Sequence, residues 1–269
     1  MPADLGQWSG NCGQSMVSDS AWGYGAMTFM EFLEDPATKR PVIGGHRGHQ
    51  SDLRENTVRN FAQLLGTGIP YVEIDVQLTR DDQLVIFHDE YLEAATGLAG
   101  KVREYALDQL RKIFEIDTVE DSIRWCRENQ MGIAFELKSH CLKTPEERRT
   151  IGSKLSALIG QFDFHKNCFV FSKDYDTLAL IRKLDEDISL GIIPPRDTEK
   201  ALSLMEQIKA DIYLDYLDTM SKPLVQKLHA AGYLVDGSVV NTEEAYRQAI
   251  FLGVDMIESD YPTKMKLFR

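Results

Sequence analysis

Two acids, Glu73 and Asp75, sit two residues apart in the apolar run beginning at Tyr71. On a strand that spacing turns both carboxylates to one face. Four polar residues follow, Thr79 to Asp82, and a second apolar run, Leu84 to Phe87, delivers His88 and Asp89. A connection this short cannot carry a parallel crossover, so the two runs are expected to form an antiparallel hairpin with His88 roughly opposite Glu73. The same spacing recurs at Glu136 and Lys138, within Gly132 to Lys138. Three carboxylates facing one point repel one another and raise one another's pKa unless a cation compensates. A hard divalent ion with oxygen ligands answers that need, Mg²⁺ or Ca²⁺ in the first place, with Mn²⁺ also admissible. Histidines titrate near neutrality, which suits His46 and His88 to general base and general acid. Arg47 and Lys138 are the natural holders of an anion, one by a bidentate fork and one as a point charge. Taken singly, Glu136–Lys138 and Asp75–Arg47 would also read as ion pairs lining a core; two histidines at neighbouring strand ends favour a reactive site. His49 and His140 are expected on loops, solvated.

The elements that must hold these residues alternate along the chain. Apolar runs suggest strands at Pro41–Gly45, Tyr71–Val76, Gly132–Lys138, Cys168–Ser172, Ile188–Ile193, Asp211–Asp215, Tyr233–Val240 and Val254–Ser259, with Leu84–His88 as the return arm of the hairpin. Helices are expected at Thr57–Leu65, Leu107–Phe114, Thr118–Asn129, Pro145–Ile159, Tyr175–Leu184, Thr198–Lys209, Ser221–Ala231 and Thr242–Phe251. Thr118 and Asp121 make a near capping box, and Gly232 and Gly253 fall just past helix ends. Eight strands alternating with helices imply a parallel sheet. At 269 residues they favour a closed (β/α)₈ TIM barrel of the α/β class, with a β-hairpin and insertion after strand 2. The polar residues that end the runs, from His46-Arg47 through Ser172, Asp215 and Asn241 to Ser259-Asp260, would then gather at one mouth. Residues 1–40 differ in composition, Gly- and Ser-rich and then aromatic, and read as an extra N-terminal segment packing on a barrel domain of residues 41–269. Within it, Ser20 to Glu34 could form a helix covering an apolar surface.

Hydrophobic content of 43% and charged content of 27% are those of an ordinary globular protein. A formal net charge of −12 without a basic patch argues against a nucleic-acid partner. Cys12, Cys126, Cys141 and Cys168 are scattered, without a CxxC pair, as expected of reduced, buried thiols in a cytoplasmic protein. No membrane span and no secretory leader are expected. The expected partner is a small molecule; a homo-oligomer is left open.

In order along the chain stand HRG (His46 to Gly48), ENT (Glu55 to Thr57), EIDVQLTRDDQLVIFHD (Glu73 to Asp89), FELK (Phe135 to Lys138), VVNT (Val239 to Thr242) and GVDMIESDYP (Gly253 to Pro262). This ordered set resembles the glycerophosphodiester phosphodiesterases, within the superfamily of phospholipase-C-like phosphodiesterase barrels. The resemblance implies that Glu73, Asp75 and Glu136 hold the metal and that His46 and His88 are the acid/base pair. It also implies that Arg47 and Lys138 contact phosphate, that Glu55 and Asn56 support them, and that the products are sn-glycerol 3-phosphate and an alcohol. Three positions depart from the family pattern. Arg54 replaces a Pro before ENT, Ser238 replaces an aromatic before VVN, and Lys173 follows Ser172 where a Phe is usual. The lost aromatics leave room for a sugar-containing or lysophospholipid-like diester. Two other readings remain: a lyase stopping at a cyclic phosphate, resembling sphingomyelinase D, and a barrel that binds a phosphate ligand without catalysis.

Overall fold

A computed structural model describes residues 27–269. Eight parallel strands close into a barrel: β1 (Val42–His46), β2 (Tyr71–Leu78), β4 (Gly132–Leu137), β5 (Cys168–Ser172), β6 (Ser189–Ile192), β7 (Ile212–Asp215), β8 (Leu234–Gly237) and β9 (Met256–Ser259). The last strand pairs with the first, and β1 pairs with β2 through Gly45–Val72 and His46–Glu73, which completes the ring. Helices between the strands bury their apolar faces against the outside of the sheet. This is the α/β barrel expected from the alternation, and its six long helices fall within two residues of the expected ends.

The hairpin partner, β3 (Leu84–Ile86), runs antiparallel to β2 with Leu78 opposite Leu84 and Val76 opposite Ile86. The expected antiparallel hairpin is present, and its register agrees with the rough expectation to within one residue. Carried on from these pairs, it sets Ile74, not Glu73, across from His88. Gln83 belongs to the turn, where its backbone N–H donates to the Thr79 hydroxyl at 2.9 Å. The ladder also stops short of His88; its last link is Phe87 N–H to the Asp75 carbonyl at 2.9 Å. Two shorter helices differ too: the first turn after β1 is α-helical only over Val58–Phe61 before tightening to 3₁₀, and the helix from Leu107 ends at Arg111.

Inside the barrel lies a second, separate core. Alternate residues Val42, Tyr71, Ala134, Phe169, Phe171, Ile212, Leu214 and Met256 fill it, joined by Phe29, Met30, Phe32 and Leu33 from the helix Phe29–Glu34. The Phe29 ring lies 5.1 Å from that of Tyr71 and 6.4 Å from that of Phe169. Tyr71 needs Gly44 beside it, since a Cβ there would stand 2.2 Å from its ring. A third cluster, with Val85, Phe87, Leu92, Val102, Leu107, Leu110 and Ile116, seats the insertion after the hairpin. Cys126, Cys141 and Cys168 are buried free thiols, as expected; Cys12 lies outside the described residues. Among the described residues, no helix is long and apolar enough to cross a membrane.

Candidate active site

Strand period and barrel closure bring the carboxylates together. Asp75 and Glu136 are paired neighbours on β2 and β4, and Glu73 precedes Asp75 by one side-chain repeat. Oxygen atoms from Glu73, Asp75 and Glu136 all lie within 4.8 Å of one another. Glu73 and Asp75 are each 1% exposed. Lys138 bridges the set, with Nζ 2.8 Å from Asp75 Oδ1 and 2.7 Å from Glu136 Oε1. The pull of Asp75 and Glu136 raises the lysine pKa against the opposing effect of burial. Burial, together with repulsion from Asp75 and Glu136, holds the Glu73 carboxyl well above the usual carboxylate range. Asp75 goes the other way: burial opposes its ionisation, but Lys138, Arg47 and His88 outweigh it.

Arg47 and the ENT stretch clamp these acids from the β1 side. The Arg47 backbone N–H donates to Glu73 Oε2 at 3.1 Å, and its guanidinium pairs with Asp75 Oδ2 at 3.2 Å and Glu55 Oε1 at 3.0 Å. Asn56 takes Asp75 at both ends, donating from Nδ2 to Oδ2 at 2.7 Å and accepting the Asp75 backbone N–H at 3.1 Å. Arg47 and Asn56 both have positive φ, 55° and 53°, a conformation Asn tolerates better than most residues. The two turns thus aim polar side chains back at β2.

Each histidine is held by an acid at Nδ1, which leaves Nε2 toward the site. His46 Nδ1 lies 2.6 Å from Asp260 Oδ1, and its Nε2 is 4.0 Å from Glu73 Oε2. His88 Nδ1 lies 2.8 Å from Asp89 Oδ1. A cavity of about 510 Å³ at the C-terminal mouth is lined by both histidines with Arg47, Glu73, Glu136 and Lys138, so the separate sequence motifs converge on one space. Asp75 lies immediately behind them, and Glu55 and Asn56 behind Arg47 and Asp75. His49 is tied to Thr263, at 2.8 Å from Nε2, rather than to this space.

The donors suit a hard divalent ion. All three are carboxylates, and Glu73 Oε1 is buried without a hydrogen-bond partner, an arrangement that costs free energy unless a cation meets it. The sequence model of the Glycerophosphoryl diester phosphodiesterase family matches residues 46–264. The chain belongs to that family. Over 237 residues it is 28% identical to a glycerophosphodiester phosphodiesterase of Bacillus altitudinis, covering 82% of this chain and 95% of that protein. It is 24% identical to the human lysophospholipase D GDPD1, covering 83% and 84%. The fold superposes with a TM-score of 0.76 on a phosphodiesterase of Oleispira antarctica solved with the product sn-glycerol-3-phosphate, at 24% identity over 85% of this chain and 96% of that one.

Within this phosphodiesterase family barrel, several residues near the site had no role in the sequence reading. Asp260 positions His46 and is itself gripped by Asn241, whose Nδ2 donates to Oδ2 at 2.6 Å. The bond to His46 lowers the Asp260 pKa. Gln77, 4% exposed, donates to the carbonyls of Phe87 and Asp89, each at 2.8 Å, and so fixes the segment that carries His88. Ser172 turns out to be structural: its hydroxyl donates to the Leu137 carbonyl and accepts from Asp174 N–H. Finally, two more acids, Asp236 and Glu258, are buried inside the barrel at 0% and 4% exposure.

Proposed function

We propose that this enzyme cleaves glycerophosphodiesters to sn-glycerol 3-phosphate and an alcohol, with a divalent ion held by Glu73, Asp75 and Glu136 and with His46 and His88 as the acid/base pair. The observation that carries the proposal is the convergence of three mutually repelling carboxylates and two acid-oriented histidines on one cavity. When bound, Mg²⁺, Ca²⁺ or Mn²⁺ supplies a Lewis acid that offsets phosphate charge and lowers the pKa of a nearby hydroxyl.

The chain's own groups do the rest. Arg47 and Lys138, anchored by Asp75, Glu55 and Glu136, draw the phosphate to the carboxylate cluster. His46 Nε2, beside Glu73, takes the proton of the glycerol 2-hydroxyl as that oxygen bonds to phosphorus. His88 gives its proton to the departing alkoxide as its bond to phosphorus breaks. Water then opens the cyclic phosphate: His88 takes a proton from water, and His46 returns one to the released hydroxyl. Asp260 and Asp89 hold each ring in the tautomer that leaves Nε2 reactive, the role of an acid behind a catalytic histidine. A second cavity, of about 340 Å³, begins at His88 and is lined by Leu53, Arg54, Phe87 and Ala95 among others. It gives the departing alcohol a mixed apolar and charged berth next to the group that protonates it, and suits lysophospholipid-like as well as small alcohols. The buried free thiols support a cytoplasmic setting.

A panel of glycerophosphodiesters, assayed for release of sn-glycerol 3-phosphate with each divalent ion and with a chelator, tests the proposal. Turnover that stops on chelation and returns with one ion is expected. Absence of turnover with Mg²⁺, Ca²⁺ and Mn²⁺ alike would favour a binding barrel, and a persistent cyclic phosphate in phosphorus NMR would make the enzyme a lyase.

A further inference from the structure

The floor and far wall of the central cavity hold a feature that the reaction above leaves unused. Glu258, on β9, lines that cavity while only 4% exposed, and its Oε1 has no hydrogen-bond partner. Ser238, just beyond β8, lines it too. The two are locked together: the Glu258 backbone N–H donates to the Ser238 hydroxyl at 3.0 Å, and that hydroxyl donates to Asp236. Neighbouring strands confirm where this acid sits. Glu258 pairs with Gly44 of β1, two residues before His46. Of the cations lining this cavity, Arg47 and Lys138 are committed to Asp75, Glu55 and Glu136, and Lys173 stands just past the end of β5. A buried carboxyl with a free oxygen carries a free-energy cost that a ligand hydroxyl would relieve.

We propose that Glu258, seated by Ser238, recognises a hydroxyl of the retained polyol, namely the primary hydroxyl remote from the phosphate. This deepens the phosphodiesterase reading and rests on it for the identity of the retained group. In that reading the retained group carries the attacking hydroxyl, so it lies against the carboxylate cluster and His46, on the side where Glu258 waits. The cavity that begins beyond His88 takes the other substituent. Glu258 is then a specificity residue: it makes the site favour polyols over diols and tolerate larger hydroxylated groups, without taking part in proton transfer.

The test compares binding of sn-glycerol 3-phosphate with that of propane-1,2-diol 1-phosphate, which lacks only the remote hydroxyl, by titration calorimetry on the full chain with Mg²⁺ present. Wild-type protein should prefer the glycerol compound by about 10- to 100-fold, the usual consequence of leaving a buried polar group unpaired. Glu258→Leu should bind both alike, and Glu258→Gln, which keeps a partner for the hydroxyl, should retain most of the preference. Equal binding by the wild type overturns the proposal, as does a preference that survives in Glu258→Leu or, should that variant not fold, in Glu258→Ala. Hydrolysis of bis(p-nitrophenyl) phosphate, which contains no polyol, reports on the phosphodiesterase reading separately. Failure there removes the reaction, whereas failure of the binding preference removes only the role of Glu258.

Discussion

Replacing Asp236 by Asn should change how the stability of the protein varies with pH. Asp236 is fully buried, and that burial raises its carboxyl from 3.8 to about 6, with Asp255 adding repulsion and with Ser238, Tyr71 and His46 pulling the other way. An acid whose pKa is higher in the folded state than in the unfolded chain imposes no penalty while both are protonated. As pH rises from about 4 to about 6 the unfolded chain ionises first, so folding becomes progressively less favourable, and above that range the penalty is constant. A rise from 3.8 to about 6 amounts to roughly 3 kcal/mol. Asn keeps the shape, and its Oδ1 still accepts from Ser238. Its Nδ2 replaces Oδ2, which has no partner, at a pH-independent cost of about 1–3 kcal/mol. The diagnostic quantity is therefore the slope. Urea unfolding from about pH 4 to about pH 8 with a chelator present should show Asp236→Asn gaining about 3 kcal/mol on the wild type. Glu258, whose carboxyl is raised by burial and then by Asp236, moves the difference in the same direction. Parallel stability curves for the two proteins would refute the reasoning.

Three further outcomes are expected. His88→Ala should lower kcat by roughly 10²- to 10⁴-fold while divalent-ion binding, measured by calorimetry, hardly changes; near-wild-type turnover would remove His88 from the mechanism. Asp260→Asn should lower kcat roughly 10²-fold or more with little change in KM, because the ring of His46 loses the acid that orients it; an unchanged kcat would make the 2.6 Å contact merely structural. Phe29→Ala should cost about 3–5 kcal/mol in denaturant unfolding, since the ring is fully buried among the interior aromatics. A cost below about 1 kcal/mol would mean that the helix Phe29–Glu34 is not part of the cooperative unit.

The barrel was legible because its strands are buried on both faces and read as apolar runs, while capped amphipathic stretches mark the helices between them. Cys168–Ser172 and Tyr175–Leu184 have the bounds that pattern suggests. The hairpin register was legible only to within one residue, because polarity shows that a turn exists without showing whether Gln83 lies in it. The Glu73–Asp75 and Glu136–Lys138 pairs stood out because a spacing of two on a strand has a direct geometric meaning. The same alternation runs through Leu234, Asp236 and Ser238, and through Met256 and Glu258. Applied there, it would have set two acids inside the barrel. Asp260 is different in kind: it meets His46 across 214 residues of chain, and only closure of the barrel between β9 and β1 creates that contact.

Charge explains why these acids matter together. Around one mouth the described residues gather Glu73, Asp75 and Glu136, with Glu258 and Asp236 below them, against the cations Arg47, Lys138 and Lys173. Arg47 and Lys138 are already bound to acids of the site. An anionic diester approaching this mouth, on a chain of net charge −12, meets repulsion from these acids. In the proposed reaction a divalent ion among the three carboxylates would offset much of that charge and free part of the hold on Arg47 and Lys138 for phosphate. Glu258 lies one layer lower, where such an ion would leave its carboxyl unmatched. A hydroxyl can approach there without adding charge, so the proposed site would divide its acids between holding a metal and reading a polyol.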